Sequence, residues 1–238
     1  VSALSFFFKQ LITHNLYATI TGLSFIWFFT WSSSKGVKSS GNIQIITTIA
    51  KIIPLLFIII AGFFVFDYNV FPDFNITNKS DIEIFPIVCV MTLYAFLGIE
   101  SATIPANSIK NSNKIISTAT MFGTLISTLI YILGTIVLFG ILPKETLINS
   151  PAPFAEAGEV IGGKYGGYFV SAGAAISAIG ALNGWILITS YMPMSMANDG
   201  LFPKVFKKTN SEGSPIISLV FGSILTSVVM TMNFSKGL

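Results

Sequence analysis

The chain has 238 residues, 53% of them apolar and only 10% charged, with a mean hydropathy of +0.78. Soluble domains carry roughly 25% charged residues, so this composition excludes an ordinary water-soluble globule and points to lipid. The net charge of +3 comes without a basic amphipathic helix or an aromatic-interleaved basic patch, so nucleic acid is not an expected partner.

Taken in chain order, residues Val1 to Ile12 are apolar but too short to cross a bilayer. They lack the basic start and small-residue cleavage site of a signal peptide, and read as the tail of an earlier helix. Apolar runs of crossing length then recur at Asn15–Ser33, Ile43–Phe66, Ile84–Ala106, Ile115–Leu142, Gly166–Met194 and Pro215–Asn233. Six spans are therefore expected, in an all-α polytopic membrane protein with residues 1–238 as a single membrane domain.

Charge placement orients the spans. The connections after the first, third and fifth hold Lys35 and Lys38, Lys110 and Lys114, and Lys204, Lys207 and Lys208, and the positive-inside rule turns them to the cytoplasm. The alternate connections run acidic, with Asp67, Asp73, Asp81 and Glu83 against Lys79 in one and Glu145, Glu156 and Glu159 against Lys144 and Lys164 in the other. Both ends of the chain are then expected on the outer side.

All the basic residues are lysine, so bidentate arginine forks are unavailable and an anion would be met by lysine, backbone amides or helix ends. The single Cys89 permits no internal disulfide or cysteine metal site. The single His14, at the outer edge of the first span and without clustered acids, reads as an interfacial residue. No metal and no cofactor are expected.

Three features stand out against the apolar background. The third span carries Gly98, Glu100 and Pro105 at its middle. Helix interruptions survive in a bilayer only where the freed backbone faces protein or water, and a carboxylate at that depth costs about 2.5–3.5 kcal/mol. Burial near Phe96, Ile99 and Thr103 favours the protonated acid, so Glu100 is a candidate proton carrier; a hydrogen-bonded structural glutamate is the other reading. Lys51 sits inside the second span, three residues before Pro54. Either its stem snorkels to the interface, or its amine is buried and exchanges a proton during transport. In the fifth span Gly173, Ser177, Ala181 and the Gly180/Gly184 pair make a small-residue face suited to close helix packing. Trp185 stands at mid-span, either packing or walling a cavity where it stacks on a substrate.

The segment Thr92-Leu-Tyr-Ala-Phe-Leu-Gly-Ile-Glu-Ser-Ala-Thr103, followed by Lys110-Asn111, resembles the sixth helix and next loop of amino acid permeases in the amino acid–polyamine–organocation superfamily. The run Ser150 to Ala157, then Gly184-Trp185, then Ala197-Asn-Asp-Gly-Leu-Phe-Pro-Lys204 with Asn210, Gly213 and Pro215, is similar to the same family. The branch most resembled is the basic amino acid and polyamine antiporters, which includes arginine/agmatine and lysine/cadaverine exchangers. The resemblance covers essentially the whole chain, from the end of the third helix to the ninth of a twelve-helix protein. It implies part of a five-plus-five inverted repeat with sites at discontinuous helices near the midplane, and marks the chain as a fragment.

The resemblance also implies roles. Ammonium groups of a substrate would meet the carbonyls where the third span breaks at Gly98. Tyr94 matches an aromatic gate, Ala95 a position that is serine in the antiporters, and Leu97 and Gly98 substrate-contacting positions. Tyr94, Leu97, Gly98 and Ser101 would share one face before the break. Trp185 matches an aromatic that packs on the substrate, and Glu100 a glutamate tied to proton-dependent release. Lys51 stands where the exchanger is apolar, and resembles the lysine of proton-coupled permeases. The function implied is secondary transport of amino acids by exchange or proton coupling. The alternative is a non-transporting remnant or interaction subunit. An enzyme is not expected, because no HExxH, paired membrane aspartates or serine–histidine couple is present. Expected partners are the amino acid or amine substrate, the lipid bilayer and a second copy in a homodimer, with a cell membrane, bacterial inner membrane, as the location.

Overall fold

The structure, a computed structural model, describes residues 15–72, 75, 79–93, 98–103 and 111–235. The helices follow in the order α1 (Asn15–Ser34), α2 (Val37–Gly62, prolonged by a 3-10 turn at Phe63–Val65), α3 (Asp81–Leu93), a 3-10 turn at Ile99–Thr103, α4 (Ser112–Ile141), α5 (Lys144–Asn149), α6 (Pro153–Asn198), a 3-10 turn at Lys204–Lys207, and α7 (Ile216–Ser235). The described residues contain no strand, as the all-α reading requires. Three helices are long and apolar enough to cross a membrane: Val37–Val65, Ser112–Ile141 and Pro153–Asn198. Ile216–Met232 is a shorter apolar helix; α1 covers the first expected span and α3 with the turn after it only part of the third, whose residues 94–97 and 104–106 lie outside the described residues.

Two helices begin earlier than their apolar runs. Helix α2 starts at Val37 rather than Ile43, and α6 at Pro153 rather than Gly166. Helical hydrogen bonding does not require apolar side chains, so it continues outward through Lys38 and Asn42 in one case and Glu156 and Glu159 in the other. The early part of α6 is set off from the rest by a break. Gly163 has φ +60° and ψ −159°, a conformation essentially restricted to glycine, and Gly162 is also non-helical.

The chain divides into two compact units. Residues up to Pro54 and from Tyr168 onward form unit 1; Leu55–Gly167 form unit 2. In unit 1, α1 packs along α7. Ile26, Phe29, Ile186 and Leu219 form its core, bordered by Phe25, Ile43, Ile179, Leu182 and Met230. A buried hydrogen bond of 2.6 Å between the Thr30 and Ser223 hydroxyls joins α1 to α7 within this apolar contact.

In unit 2, glycines of α2 and α4 allow close approach. A methyl group at Gly62 would overlap Val137 and Ile141, and one at Gly140 would overlap the Phe66 ring. The Asp67 amide donates to the Gly140 carbonyl at 2.8 Å, fixing the end of α2 against α4. Phe71 packs edge-on against Phe139 beside this bond.

Candidate functional site

Helix α3 opens with Asp81 and Glu83 in its first turn, where carboxylates complement the positive end of the helix dipole. Its described residues run to Leu93, and Gly98 has φ +97°. That left-handed backbone cannot continue a right-handed helix, and it favours glycine because a Cβ would strain it. After it the chain tightens into the Ile99–Thr103 turn, which packs against α4. The interruption expected at residue 98 is thus a feature of the backbone.

The described groups at the break bond to one another. The Ser101 amide donates to the Gly98 carbonyl at 3.0 Å, and the Ser101 hydroxyl donates to the same oxygen at 2.5 Å. Both lone pairs of that carbonyl are engaged, so Ser101 closes the turn. Glu100 has its backbone in this turn. Its side chain lies outside the described residues, as do Tyr94, Ala95 and Leu97 entirely, together with His14, Lys110 and the opening segment.

The other two candidates belong to unit 1. Lys51 is half-buried on α2, fourteen residues after the first helical residue Val37. That is about 21 Å of helix at 1.5 Å per residue, nearly twice the helix length implied by a start at Ile43. It shares one face of α2 with Ser40, Gln44, Thr47 and Pro54, at i, i+4, i+7, i+11 and i+14, and this face meets the small-residue face of α6. A methyl group at Gly173 would overlap the Pro54 ring, and one at Gly180 the Thr47 side chain; at Gly184 it would lie 3.3 Å from Gln44 Oε1. The glycines and alanines of the fifth span therefore serve close packing, and the elements they receive are named residues of α2. Trp185 follows directly and is 50% exposed, so half of its indole surface is available outside the packed seam.

Sequence reasoning missed Asn183. It is fully buried, and its Nδ2 donates to the Ser40 carbonyl at 3.0 Å with Gln44 Oε1 at 3.4 Å. Toward the same end of α2 the Ser33 and Ser40 hydroxyls are 2.8 Å apart, the Ser214 hydroxyl donates to the Ser33 carbonyl at 2.9 Å, and the Asn210 side-chain amide donates to the Ser34 carbonyl at 2.7 Å. The detectable signal was the polar stripe of α2 at helical spacing in an otherwise apolar run.

Long apolar helices, no strand among the described residues, and a helix interrupted at a left-handed glycine beside an acidic residue define a multi-pass α-helical membrane protein. The sequence pattern of the amino acid permease family matches residues 1–237, and the chain belongs to that family. It is 30% identical over 233 residues to a cadaverine/lysine antiporter of Escherichia coli strain K12, covering 98% of this chain and 52% of that protein. It is 32% identical over 250 residues to an arginine/agmatine antiporter of Chlamydia pneumoniae, covering 99% and 51%. A putrescine transporter of Haemophilus influenzae is 33% identical over 214 residues, covering 90% and 49%. The chain spans about half the length of the curated relatives it matches.

Proposed function

We propose that the chain takes part in secondary transport of amino acids, or of the amines derived from them, across a bacterial inner membrane. The mode is exchange or proton coupling. The observation that carries this reading is the break at Gly98. A left-handed residue within a lipid-crossing segment stops the helical ladder, and the carbonyls at such a stop are the kind of group that suits an ammonium ion. The names of the relatives support a substrate of that chemistry, since they are described as antiporters or transporters of lysine and cadaverine, arginine and agmatine, and putrescine.

In this proposal Tyr94, Ala95, Leu97 and Gly98 line the substrate position, and Ser101 holds the turn that shapes it. Trp185, in unit 1, is assigned a substrate-stacking role on the family resemblance alone. Glu100 takes up and releases the coupled proton. Lys51, well inside α2, is the second residue assigned to proton coupling. The test is counterflow of labelled arginine, lysine and leucine in proteoliposomes at pH 5 and pH 7.5. Accumulation of at least one of them against preloaded unlabelled amino acid is expected, with a pH-dependent rate. No counterflow of any at either pH would overturn the reading.

A further inference from the structure

The end of unit 1 that the lysine rule turns to the cytoplasm carries a surface to which the proposed transport roles assign no residue. One exposed face of α1 presents Ile20, Trp27, Phe28 and Trp31 and ends in Lys35. Lys35 is one helical turn beyond Trp31, and its ammonium lies over the indole, 3.8 Å from the ring centroid. Aliphatic, then aromatic, then cationic is the depth order of a bilayer leaflet from acyl chain to phosphate.

A second observation enlarges the charge at that point. The bond from Asn210 to the Ser34 carbonyl, with the Glu212 backbone set against Gly36, lays the α6–α7 connection on the α1–α2 turn. Exposed Lys204, Lys207 and Lys208 on the first thereby share this end of unit 1 with exposed Lys35 at the turn and Lys38 in the first turn of α2, and the Lys207 ammonium donates to the Asn198 carbonyl at 3.5 Å. Only the carboxylates of Asp199 and Glu212 offset these five ammonium groups within the two connections.

We propose that this corner binds the phosphate of an anionic glycerophospholipid. Lys35, braced on Trp31, is the contact ammonium, and the neighbouring lysines supply the field that prefers an anionic headgroup. A lipid fits better than a soluble anion because the aromatic face beneath Lys35 is open along the helix, and a headgroup arrives there with acyl chains to cover it. The inference rests on the membrane-spanning reading of the chain.

The test uses protein in which Trp31 is the sole tryptophan, reconstituted in vesicles. Its fluorescence is quenched by brominated phosphatidylglycerol or by brominated phosphatidylcholine. Expected is a several-fold preference for phosphatidylglycerol that falls about fivefold in Lys35→Gln, survives in Lys35→Arg and weakens with salt. Quenching by brominated phosphatidylcholine should be unaltered in Lys35→Gln. Equal quenching by the two lipids in the parent would overturn the proposal, as would loss of the preference on replacing chloride by inorganic phosphate at constant ionic strength, which would assign the site to a soluble anion. Absence of quenching by either lipid would instead remove Trp31 from the bilayer, and with it the membrane depth assumed for α1.

Discussion

The side chain of Asn183 reaches the carbonyl of Ser40, 143 residues away in sequence, at 3.0 Å. It thereby joins α6 to α2 where Gly184 leaves room for Gln44. The Ser40 carbonyl also occupies the acceptor position of its own helix turn, so the bond uses its second lone pair. Asn183 Oδ1 is buried without a partner among the described residues, which offsets part of what the donor contributes. Replacing Asn183 by alanine should therefore cost about 1–2 kcal/mol, at the upper end for a single polar contact between membrane helices. Reversible unfolding in mixed micelles reads this directly.

Gly180 faces the Thr47 side chain with no room for a methyl group. Gly180→Val should destabilise by about 2–3 kcal/mol through overpacking. Thr47→Ala should recover a substantial part of the loss in the Gly180→Val background. A double-mutant cycle returning less than about 0.5 kcal/mol of coupling would place the overlap elsewhere.

Gly98→Ala puts a Cβ on a backbone at φ +97°, at a cost of about 1–2 kcal/mol. It should also lower counterflow, because relief of that strain reshapes the turn closed by Ser101. Gly123→Ala is the matched control. Gly123 lies within α4, a methyl group there meets nothing within 4 Å, and alanine is the better helix former, so transport and stability should hold or rise slightly.

Glu100→Gln mimics a permanently protonated acid. The difference in counterflow rate between pH 5 and pH 7.5 should vanish while substrate binding persists. A retained pH profile would take Glu100 out of proton coupling. Lys51→Ala should lower uptake, and unchanged uptake would return that lysine to a snorkelling role.

Asn210 makes three bonds at once. Its Nδ2 donates to Ser34, and its Oδ1 accepts the Ser214 amide at 2.8 Å and the Glu212 amide at 3.1 Å. Asn210→Ala should release the α6–α7 connection at a cost of about 2 kcal/mol. Trypsin cleavage after Lys204, Lys207 and Lys208 should become faster, and gel analysis of timed digests measures the change.

Much of the architecture was legible from composition. Helix class follows from apolar runs of crossing length, and the break at residue 98 from a glycine placed beside a buried-type carboxylate. The small-residue face of α6 was legible as spacing, but its partners Pro54, Thr47 and Gln44 were not, because spacing on one helix does not name the helix it meets. The early part of α6 was read as a connection because Glu156, Glu159 and Lys164 dilute its hydropathy, while helix formation there needs only backbone bonds. The Ser33–Ser40–Ser214 contacts were invisible for a different reason. Serine is common in turns and helix ends alike, and only folding brings these three together.

The proline ring seated against Gly173 has a spectroscopic consequence. Pro54 has no amide hydrogen, so the carbonyl of Ala50, one turn earlier and adjacent to Lys51, receives no donor from the position where every ordinary helix residue supplies one. Isotope-edited infrared absorption from that single labelled oxygen would register above the main amide I band. Its frequency would then report on any charge or water molecule that arrives beside Lys51.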